Sequence, residues 1–272
     1  MREDSSPGVD WDGHVLLLHA TESERLSSLT AWACRGLDLG EKVIYTEGPD
    51  GQHQWLYSVL DVHGIDVAEA TRDGRLEILP LADFYPREGQ DRIVDRALAE
   101  GFPAVRMSAE AAAALAVLSP DEYLALERNM DRLCRTRPVS AMCQYARAGS
   151  PGIQMRDAVT VHLTAVRESQ FRTYPLRDGV AVSGELDLSN ADVFADLVRA
   201  ATGAANDVLW LDLAMLRFVD AAACRALTEL TEDFRDSGGR VLLVAAQPGV
   251  ARTMRLLGMH ELAGVTLVGG RS

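Results

Sequence analysis

Residues 14–24 read HVLLLHATESE, and the join between the two halves of this stretch decides the fold. The first six positions form an apolar run suited to a buried strand. Thr21 followed by Glu24 is then a capping box that opens a helix. A strand running through a short turn into a helix is the opening unit of a parallel α/β domain. In such domains this turn is also where a phosphate loop sits. Here it is Ala20-Thr21-Glu22-Ser23-Glu24, with no glycine, no lysine and two carboxylates that would repel a phosphate. A P-loop nucleotide hydrolase is disfavoured. A GxSxG elbow, an HExxH pair and a dinucleotide fingerprint are also absent from the sequence.

Working outward, the same alternation continues. Strands are expected at 42–47, 76–81, 104–108 and 139–147, with helices at 54–63, 91–100, 120–134 and 155–166. Beyond residue 166 the pattern changes. Two short strands within 171–188 are joined by a turn at Arg177-Asp178-Gly179, and Ser189 is expected to cap a helix to about 202. A strand at 208–215, a helix at 221–236 behind Asp220, a strand at 240–246, a helix at 250–257 and a strand near Val265 complete the chain. The expectation is a two-domain α/β protein: a leader at 1–10, disordered; a mostly parallel-sheet domain at 11–166; and a mixed-sheet domain at 167–272.

The chain has 272 residues, 47% hydrophobic and 25% charged, with a net charge of −13. Residues 1–166 hold 16 basic and 26 acidic side chains, and the remainder 11 and 14, so neither half is basic. Lys42 is the only lysine. With no basic stripe and no helix-turn-helix segment, nucleic-acid binding is not expected. The opening MREDSSPGVDWD has no apolar core of a signal peptide, and no apolar run approaches about 18 residues. A soluble, cytoplasmic protein without a membrane partner is expected. Cys34, Cys134, Cys143 and Cys224 form no CxxC pair and read as reduced, mostly buried thiols. No cofactor is expected.

Five stretches in the first domain carry a resemblance. They are the His14 strand; Gly36-Leu37 with Gly40-Glu41-Lys42-Val43; Gly74-Arg75-Leu76 with Tyr85; Gly101-Phe102-Pro103 leading to Arg106-Met107-Ser108-Ala109-Glu110; and Glu127 before Cys143-Gln144-Tyr145. With a late His162, this segment resembles the MEDS family of bacterial sensory domains. The resemblance implies a RecA- or KaiC-like core that has lost its phosphate loop and senses a small molecule. The chain departs from the family pattern at His19, Ala146 and Leu163.

The ligand-binding candidates are His14, Arg106, Glu110, Glu127 and Tyr145. Arg106, Glu110 and Tyr145 are read at the carboxyl ends of strands, where open α/β sheets collect ligands, and His14 at a strand start. The competing reading pairs Arg106 and Glu110 with each other, or with Glu127, to hold the sheet to its helices. Cys143 reads as a core thiol. The dispersed His14, His19 and His162 do not make metal-ligand spacing, so no metal site is assigned.

The second domain reads Ser183-Gly184-Glu185-Leu186-Asp187-Leu188-Ser189, then Trp210-Leu211-Asp212-Leu213, then Phe218-Val219-Asp220 and Leu256-Leu257-Gly258. It resembles the STAS family of sulfate transporters and anti-sigma-factor antagonists. The resemblance implies a face at Asp220, Ala221, Ala222, Cys224 and Arg225 that docks an anti-sigma factor or a GHKL-type kinase. In phosphorylated antagonists a serine follows the equivalent of Asp220. Here Ala221, Ala222 and Ala223 lack hydroxyls, so phosphorylation there is chemically impossible. Thr228 and Thr231 lie further along the helix, and Cys224 invites a redox alternative. The sequence therefore points to a non-enzymatic regulator in which a sensory domain controls a STAS docking domain. A stressosome-like homo-oligomeric scaffold and a degenerate nucleotide-binding protein are the rival readings.

Overall fold

The computed structural model describes residues 12–46, 54–85, 87–148, 152–176 and 179–269. The leader expected at 1–10 and the turn residues Arg177 and Asp178 lie outside the described residues. Contacts divide the chain into two units, Met1–Arg147 and Ala148–Ser272.

The first unit runs β1 (His14–His19), α1 (Glu22–Asp38), β2 (Lys42–Thr46), α2 (Gln54–Val62), α3 (Val67–Arg72), β3 (Leu76–Leu79), α4 (Leu81–Phe84), α5 (Arg87–Ala99), β4 (Val105–Glu110), α6 (Ala111–Leu115), α7 (Pro120–Thr136) and β5 (Val139–Ala146). Its strands lie in the order β1-β5-β4-β2-β3, with every pair parallel. Helices on both faces of a parallel sheet bury the strands on both sides, which is why β1 is an unbroken apolar run and not an alternating one. The short helices α3, α4 and α6 were not expected; at four to six residues they leave little periodic pattern in the sequence.

The second unit runs α8 (Gly152–Val161), β6 (Val166–Arg167), β7 (Phe171–Leu176), β8 (Gly179–Leu186), α9 (Ala191–Ala204), β9 (Val208–Val219), α10 (Ala221–Leu230), α11 (Glu232–Asp236), β10 (Arg240–Ala246), α12 (Pro248–Leu256) and β11 (Val265–Gly269). Strands β6, β7 and β8 pair antiparallel, whereas β8 to β11 pair parallel, so the sheet is mixed. Gly184 sits where β8 shifts register against β9, at φ +99°, and a Cβ there would stand 2.1 Å from the Gln170 carbonyl oxygen. Only glycine fits this position.

Two local expectations are corrected. Ser189 does not cap α9; Asn190 occupies that position, fully buried, accepting from Asp187 N at 3.0 Å and donating to Glu185 O at 3.0 Å. Ser189 is instead exposed, its hydroxyl donating to Asp187 Oδ1 at 2.6 Å. The helix expected over 221–236 breaks at Thr231, whose buried hydroxyl donates back to Leu227 O at 2.7 Å.

Candidate functional site

At the carboxyl ends of the first unit's strands, Thr21 Oγ1 accepts from Glu24 N at 3.2 Å. Glu24 Oε2 in turn accepts from Ala20 N at 2.8 Å and Thr21 N at 3.4 Å. Three of the amides at the turn where a phosphate would sit, those of Ala20, Thr21 and Glu24, are thus held by side chains of the capping box. Arg25, one turn into α1 and buried, binds Glu22, Glu110 and the Gln144 side-chain oxygen (3.0 Å). Gln144 Nε2 donates to Ser108 Oγ at 2.8 Å, and Ser108 Oγ to Met142 O at 2.9 Å. Burial and Glu110 push the nearby Tyr45 phenol up to about 12. Arg25, Tyr45 and Gln144 were not singled out from sequence. An arginine three residues after Glu22 in a capped helix was the available signal.

Of the residues expected here, Glu110 alone pairs with Arg25. Arg106 is the second residue of β4, at the opposite end of the strand, and is wholly buried. It pairs with Glu41 and Asp12, and its guanidinium lies 5.4 Å from the Trp32 ring centre. The expected pairing of Arg106 with Glu110 or Glu127 is replaced by these partners; three residues of strand, Met107 to Ala109, separate Arg106 from Glu110. Burial alone would raise the Asp12 carboxyl, but hydrogen bonds from Arg35 and Arg106 carry it below the usual range.

His14, Glu127, Cys143 and Tyr145 do come together, on one face of the sheet beneath α7. Residues 141, 143 and 145 of β5 alternate onto that face, and His14 of β1 is in register with Ala141. Glu127, 4% exposed, presents its two oxygens differently. Oε1 accepts from Tyr145 Oη at 3.4 Å, while Oε2 lies 3.2 Å from His14 Nε2 and 3.2 Å from Cys143 Sγ. Cys143 Sγ lies 3.4 Å from His14 Nε2. Asp131, one turn beyond Glu127 on α7, places Oδ1 4.0 Å from His14 Nδ1 and is held by Arg135 at 2.9 Å. Burial first, then the Glu127 carboxylate, holds the Cys143 thiol protonated well above its ordinary range. Burial does the same to the phenols of Tyr85 and Tyr145. Beside the cluster is a cavity of about 20 Å³, room for a water-sized group, lined by Tyr85, Met107, Tyr123, Glu127, Met130 and Cys143.

His19 closes the strand that His14 opens, so β1 keeps the two imidazoles at opposite ends. Burial and Arg25 hold the His19 imidazole below its ordinary pKa. His162, in the second unit, is buried and its Nδ1 lies 2.8 Å from Ala158 O.

In the second unit, Asp220 caps α10, its Oδ1 accepting from Ala223 N at 2.9 Å. Ala221 and Arg225 are exposed, Ala222 is half-buried and Cys224 is 2% exposed. Burial, reinforced by Asp220, pushes the Cys224 thiol up to about 12. Beside this helix start, Phe218 is 49% exposed at the end of β9. Thr231 is buried and Thr228 half-buried.

Residues 13–163 match the family described as MEDS, the methanogen/methylotroph, DcmR sensory domain, and residues 169–268 match that described as Mlab, STAS domain. No curated protein matches the chain. Among solved structures, a Thermotoga maritima protein described as an anti-sigma factor antagonist is 21% identical, with a TM-score of 0.31, over 36% of this chain and 85% of that one. The anti-sigma factor antagonist SpoIIAA in its unphosphorylated form is 19% identical, with a TM-score of 0.29, over 36% of this chain and 86% of that one. Among the described residues, no helix is long and apolar enough to cross a membrane.

Proposed function

Because the chain belongs to the family of MEDS sensory domains, with a STAS domain following, we propose that it is a non-enzymatic cytoplasmic signalling regulator. Residues 11–166 sense a small molecule, and residues 167–272 dock a protein of the anti-sigma-factor or GHKL-kinase class. The docking face is the start of α10 with the end of β9: Phe218, Asp220, Ala221, Ala222 and Arg225. Cys224 lies beneath that face and anchors the helix. In the sensing half, the ligand candidates that stay together are His14, Glu127 and Tyr145, beside the cavity. Arg106 acts as an internal tie to Asp12 and Glu41, and Glu110 as a tie to Arg25.

The observation that carries this reading is the chemistry of the helix start. Asp220 closes on Ala223 N, and the two positions that follow it carry only methyl groups, Ala221 exposed and Ala222 half-buried. A phosphate there would add roughly −1.5 to −2 charge and repel a docked partner, but alanine cannot accept one. Control therefore passes to the attached sensory half: ligand occupancy repositions or uncovers the face around α10.

The test begins with co-purification of the partner from the native host. Its affinity is then compared for the full chain and for residues 167–272, with and without host extract of low molecular weight. A difference between the two proteins that the extract modulates is the expected result. Equal affinity under all four conditions would sink the reading.

A further inference from the structure

We propose that His14, Glu127 and Cys143 form a binding site for a divalent transition-metal ion, with zinc the best-matched ion. Three donor atoms of three chemical kinds converge there: an imidazole nitrogen, a carboxylate oxygen and a thiol sulfur. Their separations are 3.2 Å for nitrogen to oxygen, 3.2 Å for sulfur to oxygen and 3.4 Å for sulfur to nitrogen. Donors bound at about 2.0–2.3 Å to a tetrahedral zinc stand roughly 3.3–3.6 Å apart. The triangle therefore already has nearly the edge lengths that a shared ion imposes. Its mixture of thiolate, imidazole and carboxylate suits zinc and excludes magnesium and calcium, which take oxygen alone.

The surroundings support the ligands as a metal site would require. Tyr145 Oη holds the other carboxylate oxygen of Glu127, which leaves Oε2 aimed at His14 and Cys143. The Asp131 carboxylate stands 4.0 Å from the second ring nitrogen of His14, the side from which carboxylates orient metal-bound imidazoles. An adjoining cavity is lined by two of the three ligands, Glu127 and Cys143. A hydrogen-bonded triad would explain the Glu127 contacts singly, but it does not require all three donors to face one centre.

This inference stands apart from partner control, and its test reads the metal alone. The full-length protein, reduced and freed of metal with a chelator, is titrated with cobalt(II). One equivalent is expected to produce a thiolate-to-cobalt charge-transfer band, which zinc then displaces. Cys143→Ala and His14→Gln should each lose the band and weaken zinc binding by about 100-fold or more, while Cys34→Ser keeps both. Circular dichroism on each variant separates lost binding from lost folding, and either variant alone suffices if the other does not fold. Absence of the band in folded native protein, or its survival in folded C143A, would overturn the site.

Discussion

Gly36 of α1 lies against the Arg106 side chain of β4: a Cβ on Gly36 would stand 2.5 Å from Arg106 Cδ and 2.9 Å from Val43 Cγ2. Arg106 cannot swing aside, because it is wholly buried and tied to both Glu41 and Asp12. Gly36→Ala should therefore destabilise the first unit by about 1–3 kcal/mol through overpacking. Alanine's better helix propensity, worth about 1 kcal/mol, offsets part of this. Urea unfolding curves measure the balance, and a stabilised variant would show that the side chain has room to move.

Arg106→Ala would leave Glu41, only 13% exposed in its side chain, without its main counter-charge. Breaking a buried pair from one side costs about 3–5 kcal/mol. The expected outcome is a large loss of stability by chemical denaturation with the cobalt band of the metal site retained. Loss of that band in folded protein would show that Arg106 acts on the sensing cluster after all.

Glu77 of β3 bears on acid stability. Burial alone would raise its carboxyl, but hydrogen bonds from Arg96 and Lys42 bring it below the usual range. A depressed folded value means that the pairing stabilises the fold above the unfolded carboxyl pKa, about 4.3, and that this is lost as pH falls through the folded value. Native stability should thus fall from about pH 5 downward, and Glu77→Gln should flatten that fall. Identical pH profiles for the two proteins would remove Glu77 from the account.

Cys224 should be inert in the folded protein, since its thiol is pushed up to about 12 by burial and by Asp220. Alkylation at pH 8 followed by mass spectrometry is expected to label it only after unfolding. Fast labelling of native Cys224 would revive redox control of α10.

Mg-ATP and Mg-GTP should leave the melting temperature unchanged. The amides of Ala20, Thr21 and Glu24 are occupied by the Thr21–Glu24 box, and Arg25 is neutralised by Glu22 and Glu110. A reproducible upward shift with either nucleotide would restore the nucleotide-binding reading.

The long elements were legible in the sequence because burial on both faces leaves continuous apolar runs. His14–His19 and Arg240–Ala246 fall where their apolar stretches place them. The Thr21–Glu24 and Ser119–Glu122 boxes mark helix starts through local chemistry alone. The site was harder to read. Sequence position could not show that Arg106 lies near the start of its strand while Glu110 ends it, so the two were grouped at one end. Dispersed histidines gave no metal spacing, because His14, Glu127 and Cys143 meet only through the pairing of β1 with β5 and the packing of α7 above them. Asn190 displaced Ser189 as the residue at the α9 start because its buried side-chain amide ties the preceding turn, accepting from Asp187 N and donating to Glu185 O, contacts that a serine is too short to make together.

The closed box at the start of α1 also limits how this scaffold can be re-engineered. Grafting a lysine and glycines into residues 20–24, Glu22 included, would not by itself create an anion receptor, because Glu110 would still face the incoming charge. A designer would also have to strip Glu110, and Arg25, left buried without either acid, would then become the natural claw for an oxyanion.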